Sequence, residues 1–118
     1  MLYAIISDIH ANLEALTAVL QEIDRRNAGT VCCLGDIVGY GADPDECAEL
    51  IRSRCSVVIC GNHDAAVLDR SLIDEFTPAA KAALLWTSAS IKKSTREYLA
   101  QLPFTAAESS GRIIHGVK

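Results

Sequence analysis

Three short stretches carry side chains that bind cations or move protons, and each follows an apolar run. Ser7-Asp8-Ile9-His10 comes after Leu2 to Ile6, Gly35-Asp36 after Val31 to Leu34, and Gly61-Asn62-His63-Asp64 after Val57-Val58-Ile59-Cys60. An amide, an imidazole and a carboxylate in a row are poor core material; they need water, a metal or one another. In Asp8-x-His10 the carboxylate and the imidazole lie on the same side of an extended segment, so both can reach one ion. Asn62 offers an amide oxygen, and His63 beside Asp64 has the make-up of an oriented acid or base. Each stretch alone has a plainer explanation. Asp8 and Asp36 can be turn or cap residues, His10 a surface residue, and 61–64 a polar turn closed by its own hydrogen bonds. Their recurrence at successive strand ends argues for one site, provided the strands lie side by side.

The elements that must position them alternate. Residues 2–6 read as a strand whose continuous apolar run suits a sheet covered on both faces. Asn12 is placed to cap a helix reaching about Arg26, with Leu13, Leu16, Val19, Leu20 and Ile23 on one stripe. Thr30 to Leu34 is a second strand. Asp43-Pro44-Asp45-Glu46 opens a second helix, Asp43 as cap, Pro44 at the first position and Glu46 in place for a capping box. That helix ends near Arg54, with Cys47, Leu50 and Ile51 inward, and Ser56 to Cys60 is the third strand. A short helical turn is expected over 65–69. Thr77-Pro78 starts a helix to about Ile91 with Ala82, Leu85, Trp86 and Ala89 on one face. A helix over 94–102 stops at Pro103, and 104–107 with 112–115 read as a hairpin. The fold class is α/β: a βαβαβ start, further helices and a terminal hairpin. In open sheets of this kind ligands collect at the carboxyl ends of the strands, where Asp8, His10, Asp36, Asn62 and His63 all fall.

The 118 residues fit a single domain, 1–118. The net charge is −4 and the longest basic cluster is Lys92-Lys93, which argues against an electrostatic grip on nucleic acid. Five cysteines without a C-x-x-C spacing read as reduced core thiols. A strand begins within two residues of Met1 and no apolar stretch approaches the ~18 residues of a membrane span, so the expectation is a cytoplasmic protein without a membrane partner.

In this order and spacing, D-x-H, G-D-x-x-G-Y-G and G-N-H-D resemble the calcineurin-like metallophosphoesterases, in particular the small bacterial and archaeal phosphodiesterases related to diadenosine tetraphosphatases. Ala11-Asn12-Leu13-Glu14-Ala15-Leu16 and Pro78 to Trp86 extend the resemblance over essentially the whole chain. It implies a four-layer α/β/β/α sandwich, of which this chain is the N-terminal half. It implies two divalent cations (manganese first, or iron, zinc or nickel) and a bridging hydroxide that hydrolyses a small phosphoester, a phosphodiester or nucleotide. Asp8 and His10 would bind the first cation, Asp36 both, and Asn62 the second. His63 would be the general acid, oriented by Asp64, with Asn62 and His63 also touching substrate. Ile113-Ile114-His115-Gly116 resembles the family's next motif, whose histidine also binds the second cation. The family's closing Gly-His-x-His is absent from the 118 residues, whose three histidines are His10, His63 and His115. The expectation is therefore a truncated domain that leaves sheet surface uncovered and closes it as a homo-oligomer. The other reading is a chain that binds metal or a partner without turnover.

Overall fold

Parallel strands need a crossover between them, and here both crossovers are helices. In the computed structural model, which describes residues 2–107 and 113–115, β1 (Tyr3–Ile6), β2 (Thr30–Cys33) and β3 (Val57–Val58) form a parallel sheet in that order. Tyr3 stands opposite Thr30, Ile6 opposite Cys33, and Cys33 opposite Val58, so the three strand exits lie next to one another. The α/β reading of the chain holds.

The crossovers are α1 (Leu13–Arg25) and α2 (Pro44–Arg54). Asn12 caps α1 as its type suggests, its Oδ1 accepting from the Ala15 N–H at 3.1 Å. Leu16, Leu20 and Ile23 are buried while Val19 faces out, which narrows the expected stripe to the positions 3 to 4 residues apart that meet the sheet. Pro44 opens α2, but the expected capping box does not form: Asp43 makes no side-chain cap bond. The Asp43 N–H is instead used on the Ala11 carbonyl, tying the start of α2 to the first strand exit.

After the sheet come α3 (Asn62–Ala66), α4 (Arg70–Ile73), α5 (Pro78–Ser90) and α6 (Lys93–Ala100). A hairpin of β4 (Thr105–Ala107) and β5 (Ile113–His115) follows, with Thr105 opposite His115. Asp45 of α2 accepts from the Lys92 N–H and the Thr95 hydroxyl, so one helix caps the first turn of another. The core gathers Leu16, Leu20, Val31, Cys33, Ile37, Cys47, Ile51 and Leu84 between the sheet and its helices. No helix among the described residues is long and apolar enough to cross a membrane.

Several expectations need correction. β3 is shorter than 56–60, because the Cys60 N–H leaves the sheet for the Pro103 carbonyl at 2.7 Å. α3 begins at Asn62 rather than at 65, so the polar site residues are the first turn of a helix. α4 was not foreseen from the residue pattern. In α5 the buried face is Ala80, Leu84 and Thr87, and Trp86 is 49% exposed. Alanines all round this helix leave the apolar stripe ambiguous, and Thr87 is admitted to the core because its hydroxyl bonds the Ala83 carbonyl. Finally, the described residues leave one face of β1 open, with Ile5 66% exposed.

Candidate metal centre

The exits of β2 and β3 touch backbone to backbone. A Cβ on Gly35 would lie 2.3 Å from the Gly61 nitrogen, and one on Gly61 would lie 2.2 Å from Asp36 Oδ1. Only glycine permits that approach. Beyond Gly35 the chain enters the left-handed region at Asp36 (φ 55°) and Tyr40 (φ 67°), and the first exit does the same at Asp8 (58°), His10 (49°) and Ala11 (56°). Such a backbone costs on the order of 1–3 kcal/mol per residue and survives where surrounding bonds fix it. Those bonds are present: Asp8 N–H to the Gly35 carbonyl (3.1 Å), His10 N–H to Asp36 (2.8 Å) and Ala11 N–H to Ile37 (2.8 Å).

Asp64 holds the rest. Its carboxylate is fully buried and accepts from four backbone N–H groups: Asp36 at 2.8 Å, Ile37 at 2.9 Å, Gly61 at 3.0 Å and Val38 at 3.2 Å. Burial pushes its pKa up to about 6, opposed by the donors from Gly61, Val38 and Ile37. The sequence reading has Asp64 orienting His63; here the carboxylate is occupied by the loop backbone instead. At the third position of α3 it curls back to the Gly61 N–H, away from the ring of its neighbour. A carboxylate three residues past a helix-opening glycine carries that signal in the sequence.

His10 is aimed from behind. Its Nδ1 donates to the Val38 carbonyl at 3.2 Å, so the Nε2 lone pair points into the cluster, 3.4 Å from Asp8 Oδ1 and 3.9 Å from Asp36 Oδ2. Asp36 Oδ1 accepts from the His63 N–H at 3.0 Å, leaving Oδ2 toward His10. A hydrogen bond from the Ser7 hydroxyl is the main cause that lowers the Asp8 pKa, with the neighbouring His10 adding to it.

One ligand atom each from His10, Asp36 and His63 falls within 4.8 Å of the others. The His63 Nδ1 is buried without a hydrogen-bond partner, a costly state for an imidazole nitrogen that a ligand would relieve. Burial lowers the His63 pKa, Asp36 opposes that, and His10 adds to the lowering. Its ring stands against His10 at 4.7 Å, Phe76 at 4.9 Å and Tyr40 at 5.0 Å. Asn62 opens α3 with its Oδ1 on the His63 N–H at 3.1 Å. Carboxylate, imidazole and amide donors of this kind suit manganese, iron, zinc or nickel, and the set fits a divalent cation.

The structure thus brings Asp8, His10, Asp36, Asn62, His63 and Asp64 to one end of the sheet. The side chain of His115 lies outside the described residues. Tyr40 and Phe76 were not singled out from the sequence, although Tyr40 sits inside Gly39-Tyr40-Gly41, where two glycines bring the loop against the histidines.

Comparison with known families decides the class: the family profile described as calcineurin-like phosphoesterase matches residues 1–117. The chain belongs to the calcineurin-like phosphoesterases. Among its relatives, the uncharacterized protein MJ0912 of Methanocaldococcus jannaschii is 48% identical over 106 residues, 90% of this chain and 44% of that protein. The metallophosphoesterase of Sphaerobacter thermophilus superposes with a TM-score of 0.74 at 43% identity, over 90% of this chain and 43% of its own. A candidate diadenosine tetraphosphatase superposes with a TM-score of 0.69 at 26% identity, over 89% of this chain and 44% of its own. The chain therefore spans under half the length of these relatives, and its fold is the corresponding part of theirs. The family works with divalent metal ions, and His10, Asp36 and His63 form a cluster that could hold one.

Proposed function

We propose that this chain holds the metal centre of a hydrolase acting on a phosphodiester or a nucleotide phosphoester. The observation that supports it most is the convergence of His10, Asp36 and His63 within 4.8 Å at adjoining strand exits, with His10 turned inward by its bond to Val38. Asp8 and His10 would hold one divalent cation, Asp36 would be shared between two, and Asn62 would belong to the second. His115 joins the second cation in this proposal on the strength of its sequence motif. Bound cations, manganese first among them, supply Lewis-acid charge to the phosphoryl oxygens and lower the pKa of water.

The remaining work belongs to side chains. Asp36 Oδ1 fixes the His63 backbone, so ligand and acid are positioned by one hydrogen bond. His63 carries a proton to the leaving oxygen. Proton transfer from a side chain held in position is worth about 10²–10⁴-fold in rate. Asp64 serves as a positioning residue, because the amides it holds belong to the loop that carries Asp36.

The test is manganese-dependent hydrolysis of bis(p-nitrophenyl) phosphate by the chain beside its His63→Ala and Asp36→Ala variants. Turnover that vanishes in both supports the proposal. Hydrolysis that persists in both arises outside this site and rejects the proposal; no hydrolysis together with manganese binding rejects catalysis and leaves a metal-binding chain.

A further inference from the structure

Beside Asn62 the surface opens into a groove of about 640 Å³, well within the range of small-molecule sites. Tyr40, Asn62, Ala65, Phe76, Ala80 and Phe104 line it. Two of its three aromatic rings face water, Tyr40 at 54% and Phe104 at 51% exposure. The third, Phe76, stands against the His63 ring, as Tyr40 does from its own side. The groove thus adjoins the cluster through Asn62 and through the two rings packed against His63.

Its chemistry is selective. Among the described residues no lysine or arginine lines it, so a polyphosphate chain would find no cation there. Its one charged residue is Glu75, and the Thr77 hydroxyl is taken by the Ala80 N–H. Ring faces suit a planar base, and a carboxylate suits an exocyclic amino group. We propose that this groove binds the amino-bearing nucleobase of a nucleoside esterified to the scissile phosphate, with the base between Tyr40, Phe76 and Phe104 and its amino group on Glu75. The inference rests on the phosphoesterase reading for the phosphate, but the base site needs neither metal nor turnover.

The test therefore uses the metal-free chain and two phosphate-free probes, adenosine and inosine, followed by saturation-transfer NMR and titration calorimetry. Adenosine is expected to bind, and inosine, with a carbonyl in place of the amino group, to bind more weakly. Phe104 is half exposed, so Phe104→Ala should fold normally and weaken adenosine roughly 5-fold or more, the lower end of what loss of one stacking ring costs. Glu75→Gln should erase the preference for adenosine over inosine. No adenosine signal at its solubility limit, or binding that Phe104→Ala leaves unchanged, overturns the proposal. So do Ala65 and Ala80 methyl signals that change with protein concentration and not with adenosine, since a second copy would then fill the groove. Hydrolysis of bis(p-nitrophenyl) phosphate without adenosine binding removes the base site alone; adenosine binding without hydrolysis removes the catalytic reading alone.

Discussion

Asp64 is fully buried and accepts four backbone hydrogen bonds, while Asp8, at the same end of the same sheet, has a side chain 64% exposed and bonded to the Ser7 hydroxyl. The exits of β2 and β3 are locked together by a carboxylate and two tight glycines. The exit of β1, on the sheet edge, is docked onto that lock through backbone bonds to Gly35, Asp36 and Ile37. The division separates stability from ligation. Asp64 uses both carboxylate oxygens on the loops and has none to offer a cation, whereas Asp8 is open to one and contributes little to holding the loops.

Substitutions can break that separation. Asp64→Ala leaves four buried N–H donors without their acceptor, at about 1–3 kcal/mol for each that water does not reach. We expect a total loss of about 3–5 kcal/mol, read as a lower urea midpoint. An unchanged midpoint would mean the lock lies elsewhere. Gly61→Ala forces a methyl onto Asp36 and should cost about 1–3 kcal/mol while abolishing metal-induced stabilisation. Asp8→Ala sharpens the contrast from the other side. Its own stability should stay within about 0.5 kcal/mol of the parent, as for most exposed sites. The stabilisation by manganese, about 2.7 kcal/mol at a hundredfold excess over Kd in the parent, should fall sharply in differential scanning calorimetry.

The smallest effect concerns the thiols. Burial raises Cys33, Cys47 and Cys60 to about 12 and Cys55 to about 11, so iodoacetamide at pH 8 should leave these four unmodified in the folded chain, by intact-mass measurement. Rapid alkylation of Cys60, next to the Gly61 turn, would show that the locked half opens.

Where residue type dictates local geometry, the sequence was easily read. Asn12 and Thr77 cap the helices they were expected to cap, and Pro44 and Pro78 open theirs. The polar strand exits announced themselves because nothing in a core wants an imidazole beside a carboxylate. What stayed hidden depends on partners distant in the chain. Asp43 was free to cap α2, yet its N–H serves Ala11 and its side chain makes no cap bond. Asp64 next to His63 suggested a pair, yet its partners are 26 to 28 residues earlier for three of its four bonds. Trp86 looked like core because it is large and apolar, but only the packing of α5 decides which of its faces turns inward.

The sheet order β1-β2-β3 repeats the order of the chain. Every hydrogen bond that joins the three exits therefore closes within the first 64 residues, and each loop that must close is short enough to do so at modest entropic cost. The polypeptide of all three exits is synthesised before α5 and the terminal hairpin. In pulse-labelled refolding the amides of Ile37 and Val38 should be among the earliest to gain protection.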